Sequence, residues 1–231
     1  MPVSGLAVGE RALDDDAAHY VTRVLRLAEG DRFVVFDPEA RVEATATLRS
    51  SQKKSAIVSI ENVVAATLLP VREVSLVQCV GKGAKLDAVV RDASELSASA
   101  LYPAISERSV AERASSAAHA RLCRIAVEAA RQSRRGDVLR VEPTSELDTL
   151  LPRFTTGRRV LLHPEAPPLR RALAGLGATE MVVVGIGPEG GFSERELTFA
   201  ANVGFVTASL GRVVLRTETA AAAVLGALLV L

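Results

Sequence analysis

"VVVGIGPEGGFSEREL", from Val182 to Leu197, decides how the rest of the chain is read. An apolar run rich in valine empties into a loop of glycines, one proline and one glutamate, and a helix-like stretch follows. Gly185-Ile186-Gly187-Pro188-Glu189-Gly190 satisfies the G-x-G-x-x-G spacing of dinucleotide sites. Three details argue against that ligand. Pro188 removes an amide donor from the loop that would cradle a pyrophosphate. Glu189 places negative charge where phosphate oxygens would lie. The next apolar run, "FVTASLG", ends without the acidic residue that would hold a ribose hydroxyl. A tight strand-to-helix turn accounts for one or two of the glycines. What remains is a ligand bound through main-chain groups without phosphates. S-adenosylmethionine (SAM), whose sulfonium is cationic, tolerates a nearby carboxylate.

Outward from this loop, the chain from Val74 alternates between strand and helix. The apolar runs are "VSLVQCV", "LYPAI", "VLRVE", "RVLLHP", "MVVVGIG" and "FVTASLG". Helical stretches such as "AKLDAVVRDASELSASA" and "AERASSAAHARLCRIAVEAARQS" lie between most of them. This rhythm predicts an α/β domain with a mainly parallel sheet. Ligands bind such sheets at the carboxyl ends of the strands. Three consecutive strands end in unusual chemistry: "LLHPE" (161–165), "GIGPEGG" (185–191) and "LGRVVLRTET" (210–219).

Residues 1–70 differ in style. "DDDAAHYVTRVLRLAEGD" predicts a helix capped by Asp14, Asp15 or Asp16 and stopped near Gly30. "RFVVFD", "VEATATL" and "AIVSIENVV" predict short strands of a small β-barrel or sandwich. The expected division is 1–70 and 71–231, with the linker near Pro70. On a regular helix, His19, Arg23 and Arg26 share one face, while Val21, Val24, Leu25 and Ala28 turn towards the barrel.

Composition narrows the function classes. Among 231 residues, hydrophobic types make up 48% and charged types 24%, a globular balance. Aromatics at 3%, with no Trp, exclude base-stacking platforms as the main binding mode. A net charge of +1 leaves any nucleic-acid argument to local patches. One such patch holds Arg108, Arg113, Arg121, Arg124, Arg131, Arg134 and Arg135 against Glu107, Glu112 and Glu128. A solvated helix face is the alternative explanation. Cys79 and Cys123 are expected as reduced thiols of a cytoplasmic protein. "TAAAAVLGALLVL" is shorter than the roughly 20 residues of a membrane span, and no membrane association is expected. His19, His119 and His163 have no metal-ligand spacing, so no metal is expected.

"IGPEGGFSERE" with "LGRVVLRTETA" resembles the 16S rRNA (uracil-N3)-methyltransferase family, RsmE type, of the SPOUT superfamily. "HYVTRVLRL" (19–27), "SERSV" (106–110), "EAARQSRR" (128–135) and "LLHPE" match it in the same order, so the resemblance spans nearly the whole chain. It implies a PUA-like β-barrel RNA-binding domain followed by a trefoil-knotted, parallel-sheet, SAM-dependent methyltransferase domain, acting as a homodimer on 16S rRNA or the small ribosomal subunit. It assigns the cofactor to Leu162, His163, Gly185, Ile186, Gly187, Pro188, Glu189, Gly190, Leu210, Gly211, Leu215 and Arg216. Methylating uridine N3 needs loss of a weakly acidic proton and attack on the sulfonium methyl. Arg216 is the expected donor to the uridinate oxygens, with Glu189 and Glu218 as alternative bases. Thr217 or Thr219 can cap the last helix. His19, Arg23, Arg26, Arg131 and Arg134 are the expected RNA contacts.

The chain departs from the family pattern in two places. "RDASELSAS" has Asp92 where a lysine is usual and Ser97 where a glycine is usual. Arg212 and Val213 replace a usual proline and arginine. A SPOUT enzyme acting on another rRNA or tRNA base is therefore a second reading. A non-catalytic RNA-binding or ribosome-assembly protein is a third.

Overall fold

In the computed structural model, residues 1–52, 55–81, 85–109 and 115–231 are described. The chain divides into two compact units. One comprises Met1–Leu69 with Arg134–Val138, the other Pro70–Ser133 with Leu139–Leu231.

In the first unit, β1 (Gly9–Ala12), β2 (Arg32–Asp37), β3 (Val42–Gln52) and β4 (Ser55–Ala65) form an antiparallel sheet in the order β1-β4-β3-β2. Period-2 alternation sends Ala44, Ala46 and Leu48 of β3, and Ala56, Val58 and Ile60 of β4, into one core with Val21 and Val35. Asp37 closes the β2 end by accepting from the amides of Gly5, Leu6, Glu39 and Ala40. Burial pushes its carboxyl up, but those amides outweigh burial and hold it below the usual carboxylate range.

The helix of this unit is shorter than periodicity predicts. α1 (Asp15–His19) is capped by Asp14, whose Oδ1 accepts from the Ala17 amide at 2.8 Å. It then widens into a π-helical turn, Tyr20–Val24, in which the Leu25 amide donates to the Tyr20 carbonyl at 2.9 Å. The Thr22 hydroxyl donates to the Ala18 carbonyl, a competing bond that bends helices. Arg26, at φ 54°, ends the element well before Gly30. The 100° spacing therefore fails across residues 20–26. Val21 is buried as expected, but Val24 and Leu25 are 56% and 41% exposed and Ala28 is exposed, contrary to the expected docking face.

The second unit is a parallel sheet of β5 (Val74–Cys79), β6 (Ala100–Ile105), β7 (Arg140–Val141), β8 (Ser145–Glu146), β9 (Arg158–Leu162), β10 (Val182–Ile186) and β11 (Val206–Ala208). The order is β11-β9-β10-β5-β6-β7, with β8 also on β6. β5 and β10 are buried along their whole length, as apolar strands covered on both faces are. "VLRVE" contributes only the two-residue β7, and β8 carries no apolar signal of its own. The strand β9 is laid down two places from β5, and β10 fills the slot between them. After edge strand β11 the chain returns to place α7 (Thr217–Leu229) against α2 (Lys85–Glu95) and β10. α3 (Ser116–Ser133) packs on α2 as well.

α2 ends in a Schellman turn. The Ala98 amide donates to the Ala93 carbonyl and the Ser97 amide to the Ser94 carbonyl. Ser97 is held there at φ 62°. A side chain in this left-handed region costs about 1 kcal/mol relative to glycine, which explains the usual glycine at this position.

Candidate functional site

The register of the second sheet brings the three unusual loops to one edge. Leu162, the last residue of β9, pairs with Ile186 of β10 and Ala208 of β11, so these strands finish level. Their exits are stitched together. The His163 amide donates to the Ala208 carbonyl, the Ser209 amide to the Pro167 carbonyl and the Leu169 amide to the Ser209 carbonyl. The loops enclose a pocket of about 480 Å³, within the range of small-molecule sites. Its wall includes Leu162, His163, Ile186, Gly187, Pro188, Glu189, Gly190, Leu210, Gly211, Leu215 and Arg216.

Gly185 is placed differently from the other predicted cofactor residues. It is buried within β10, and a Cβ there would lie 2.1 Å from Leu161 Cδ2. Its small size serves the packing of β9 on β10 rather than the pocket wall. The glycine signal therefore mixes two causes: a packing glycine at 185 and loop glycines at 187, 190 and 191. The Gly191 amide closes a turn onto the Pro188 carbonyl with φ 68° at Gly191.

The helix beyond this loop, α6 (Glu194–Asn202), is not poised for phosphate. Ser193 accepts from the Glu196 amide, and the Glu196 carboxylate accepts from the Ser193 amide at 2.8 Å. Glu196 is 1% exposed and takes the Glu107 amide on its other oxygen at 2.9 Å. A capping box that uses the helix's own leading amides, with a carboxylate beside it, repels rather than binds a pyrophosphate.

Charged groups meet at the rim where α7 begins. Arg216 takes an extended conformation before the helix, and its carbonyl accepts from the Ala220 amide. The expected threonine caps are not formed; the Thr217 hydroxyl instead donates to Glu218 Oε2 at 3.1 Å. Glu218 is held below the usual carboxylate range by its own backbone amide first, then by Thr217, Lys85 and Arg216. Lys85 Nζ lies 2.6 Å from Glu189 Oε1 and 3.9 Å from Glu218 Oε2. Both acidic candidates thus face one ammonium, an arrangement that weakens a carboxylate as a base.

Arg108 also lines the pocket and donates to the Gly190 carbonyl at 2.8 Å. It ties the loop after β6 to the glycine loop. Arg195 of α6 pairs with Glu107 on that loop and, at 2.7 Å, with Asp148 of the short helix Leu147–Leu150, which ties the loop to both helices. His163 serves its own loop, its Nδ1 accepting from the Glu165 amide at 3.3 Å. Val213 and Val214 line the pocket and are 72% and 78% exposed. Lys85, Gly81 and the Arg108–Gly190 link carry no local motif and were missed by sequence reasoning.

The basic stretch does not present one charged face. Arg121 pairs with Asp87, Arg131 with Glu128 and Arg135 with Asp137, and Arg135 is buried. Arg124 and Arg134 are exposed, Arg134 at φ 58°. Arg113 and Glu112 lie outside the described residues. In the first unit His19, Arg23 and Arg26 are all exposed. Among the described residues no ion pair joins Arg23 or Arg26 to Asp14, Asp15 or Asp16. Replacing both arginines by alanine is expected to leave SAM affinity and melting temperature nearly unchanged, since exposed charges contribute only ~0–1 kcal/mol. Binding to small-subunit rRNA should weaken, with the slope of log K against log salt shallower by roughly two counterions. An unaltered slope in a salt titration would assign these arginines to structure.

Cys79 and Cys123 are free. Burial pushes the Cys79 thiol up to about 12, leaving it inert. Among the described residues, no cluster of His, Cys, Asp or Glu could hold a metal. No helix there is long and apolar enough to cross a membrane.

The chain matches two family models: an RNA methyltransferase domain over residues 67–229 and an RNA methyltransferase PUA domain over residues 13–61. It is 31% identical to the ribosomal RNA small subunit methyltransferase E of Aquifex aeolicus, over 90% of this chain and 89% of the relative. It is 29% identical to the protein of the same name from Bacillus subtilis, over 90% and 85%. The crystal structure of a ribosomal RNA small subunit methyltransferase E from Neisseria gonorrhoeae, bound to S-adenosyl methionine, superposes with a TM-score of 0.90. It is 27% identical, over 98% of this chain and 94% of that one. The expected fold class, a PUA-like domain followed by a SPOUT-type parallel-sheet domain, is the one found.

Proposed function

We propose, for a chain that belongs to the RNA methyltransferase family, methyl transfer from SAM to N3 of a uridine in 16S rRNA. SAM-dependent methylation of small-subunit rRNA is the activity of the family; the uridine N3 target is our reading. The pocket at the level strand ends, walled by main chain and apolar side chains, carries the cofactor half of this reading; the uridine N3 target is supported by the resemblance of "IGPEGGFSERE" and "LGRVVLRTETA" to the uracil-N3 family.

The residues present fit SAM. Leu162, Ile186, Leu210 and Leu215 offer apolar surface for a purine. Gly187 and Gly190 expose main chain to it, and Glu189, paired with Lys85 at 2.6 Å, leaves a carboxylate whose charge is largely compensated and which a cationic sulfonium tolerates. Bound there, SAM supplies an electrophilic methyl group. Arg216 holds the target base and donates to the uridinate oxygens, so that the negative charge left by the N3 proton is met by a cation. Glu189 or Glu218 takes that proton, and Lys85, facing both carboxylates, moderates either one. Most of the acceleration comes from positioning. His19, Arg23, Arg26, Arg131 and Arg134 contact rRNA phosphates, with arginine forking two oxygens.

Calorimetry tests the cofactor assignment. SAM and S-adenosylhomocysteine (SAH) are expected to bind and NAD is not. Gly190→Val should abolish binding in a folded protein, because even a Cβ at this position lies 3.3 Å from the Arg108 side chain that bonds the same loop. Unchanged affinity in that variant would remove the loop from the site.

The protein acts in the cytoplasm as a homodimer in this reading. The end of α7 supports the dimer: Leu229, Val230 and Leu231 are 54%, 82% and 65% exposed, an apolar surface that a second copy would cover. Light scattering at micromolar concentration should give twice the chain mass of 24.4 kDa; a monomeric mass would contradict it.

A further inference from the structure

Lys85, the first residue of α2, reaches the glycine loop from 104 positions away in sequence. Its partner Glu189 stands on the pocket wall, and its second neighbour Glu218 opens α7. The Glu189 carboxylate also depends on Gly81: a Cβ there would come within 2.8 and 2.9 Å of its two oxygens. The exit of β5, the start of α2 and the start of α7 thus converge on one carboxylate of the pocket. The Glu189 hydrogen bond, followed by the charges of Glu189 and Glu218, raises the Lys85 ammonium above its ordinary range, so the lysine keeps its charge beside them.

We propose that Lys85 is a positioning residue that compensates the Glu189 charge and so sets how strongly the pocket distinguishes a cationic sulfonium from the neutral thioether left after transfer. The proposal rests on the SAM reading above. As the methyl moves to N3, the S–C bond breaks, its electron pair stays on sulfur, and the positive charge there is lost. A bare carboxylate nearby would stabilise the starting sulfonium more than the transition state, and would therefore slow the step. An ammonium held at 2.6 Å from that carboxylate removes most of this bias.

The test is calorimetry of SAM and SAH at low salt on the full chain, for wild type and three variants. Lys85→Met is expected to raise the preference for SAM over SAH by roughly three- to tenfold, the scale of one partly screened charge several ångströms away. Glu189→Gln should lower that preference by a similar factor, and Lys85→Arg should leave it within about twofold of wild type. The preference raised by Lys85→Met should shrink again in 0.5 M salt. Equal loss of both ligands in Lys85→Met, or shifts of the same sign in Lys85→Met and Glu189→Gln, would show a merely structural role and overturn the proposal. Wild-type protein that binds neither ligand would instead overturn the SAM reading itself.

Discussion

Arg216→Ala is expected to lower the rate of methyl transfer by about 10²- to 10³-fold, the usual loss when one donor to a developing oxyanion is removed. The loss should fall on the single-turnover rate, with SAM affinity changed much less. Arg216 lies at the pocket rim, its backbone fixed by the Ala220 amide and its charge set beside Glu218 and Lys85. Arg216 is exposed, and its side chain brings positive charge to the rim where the negative charge forms. Arg216→Lys keeps the charge but loses the planar fork, so an intermediate rate is expected. If Arg216→Ala weakened SAM binding and left the single-turnover rate intact, Arg216 would be a cofactor contact and the uridinate donor would have to be sought elsewhere, with Arg108 the next candidate.

Gly185→Ala is expected to destabilise the second unit by about 1–3 kcal/mol through overpacking. For a chain of this length each kcal/mol moves the melting temperature by roughly 2–4 °C. The new Cβ meets Leu161 Cδ2 at 2.1 Å, and Leu161 is fully buried between strands, so its side chain has nowhere to turn. Leu161→Ala alone should cost about 2–5 kcal/mol by leaving a cavity. In combination, the alanine at 185 should cost almost nothing further, because the atom it struck is gone. Thermal denaturation of the four proteins of this cycle checks the coupling. Full additivity would mean that Gly185 is required for a reason other than Leu161.

The same pair shows what was legible in the sequence. The three loops could be read because glycine, proline and charged residues interrupt apolar runs at strand ends, where a parallel sheet binds ligands. Their convergence depends only on β9, β10 and β11 finishing level, and the register supplies this. What could not be read was the division of labour among the glycines, since a glycine under Leu161 and one facing a ligand look alike in a string of letters. Lys85 was invisible for a related reason: its partner is far away in sequence, and only the return of the chain to the centre of the sheet brings α2 beside the glycine loop. The first helix failed differently. A regular 100° per residue does not carry through Thr22 and Arg26, where a π turn and a left-handed residue break the count. His19, Arg23 and Arg26 are exposed all the same, whereas Val24 and Leu25 are turned away from the core. The assignment of Arg134–Val138 to the first unit had no signal in composition.

Among the departures from the family pattern, Val213 has a direct bearing on the target, since it stands exposed on the pocket wall where an arginine is usual. The choice of base therefore belongs to the substrate experiment. Small ribosomal subunits from a strain lacking the modification, incubated with this protein and SAM labelled in its methyl group, are predicted to take up one label per subunit, at N3 of a uridine in 16S rRNA. Label on tRNA or on another base would contradict the proposed target, and no transfer to RNA despite SAM binding would contradict the proposed activity.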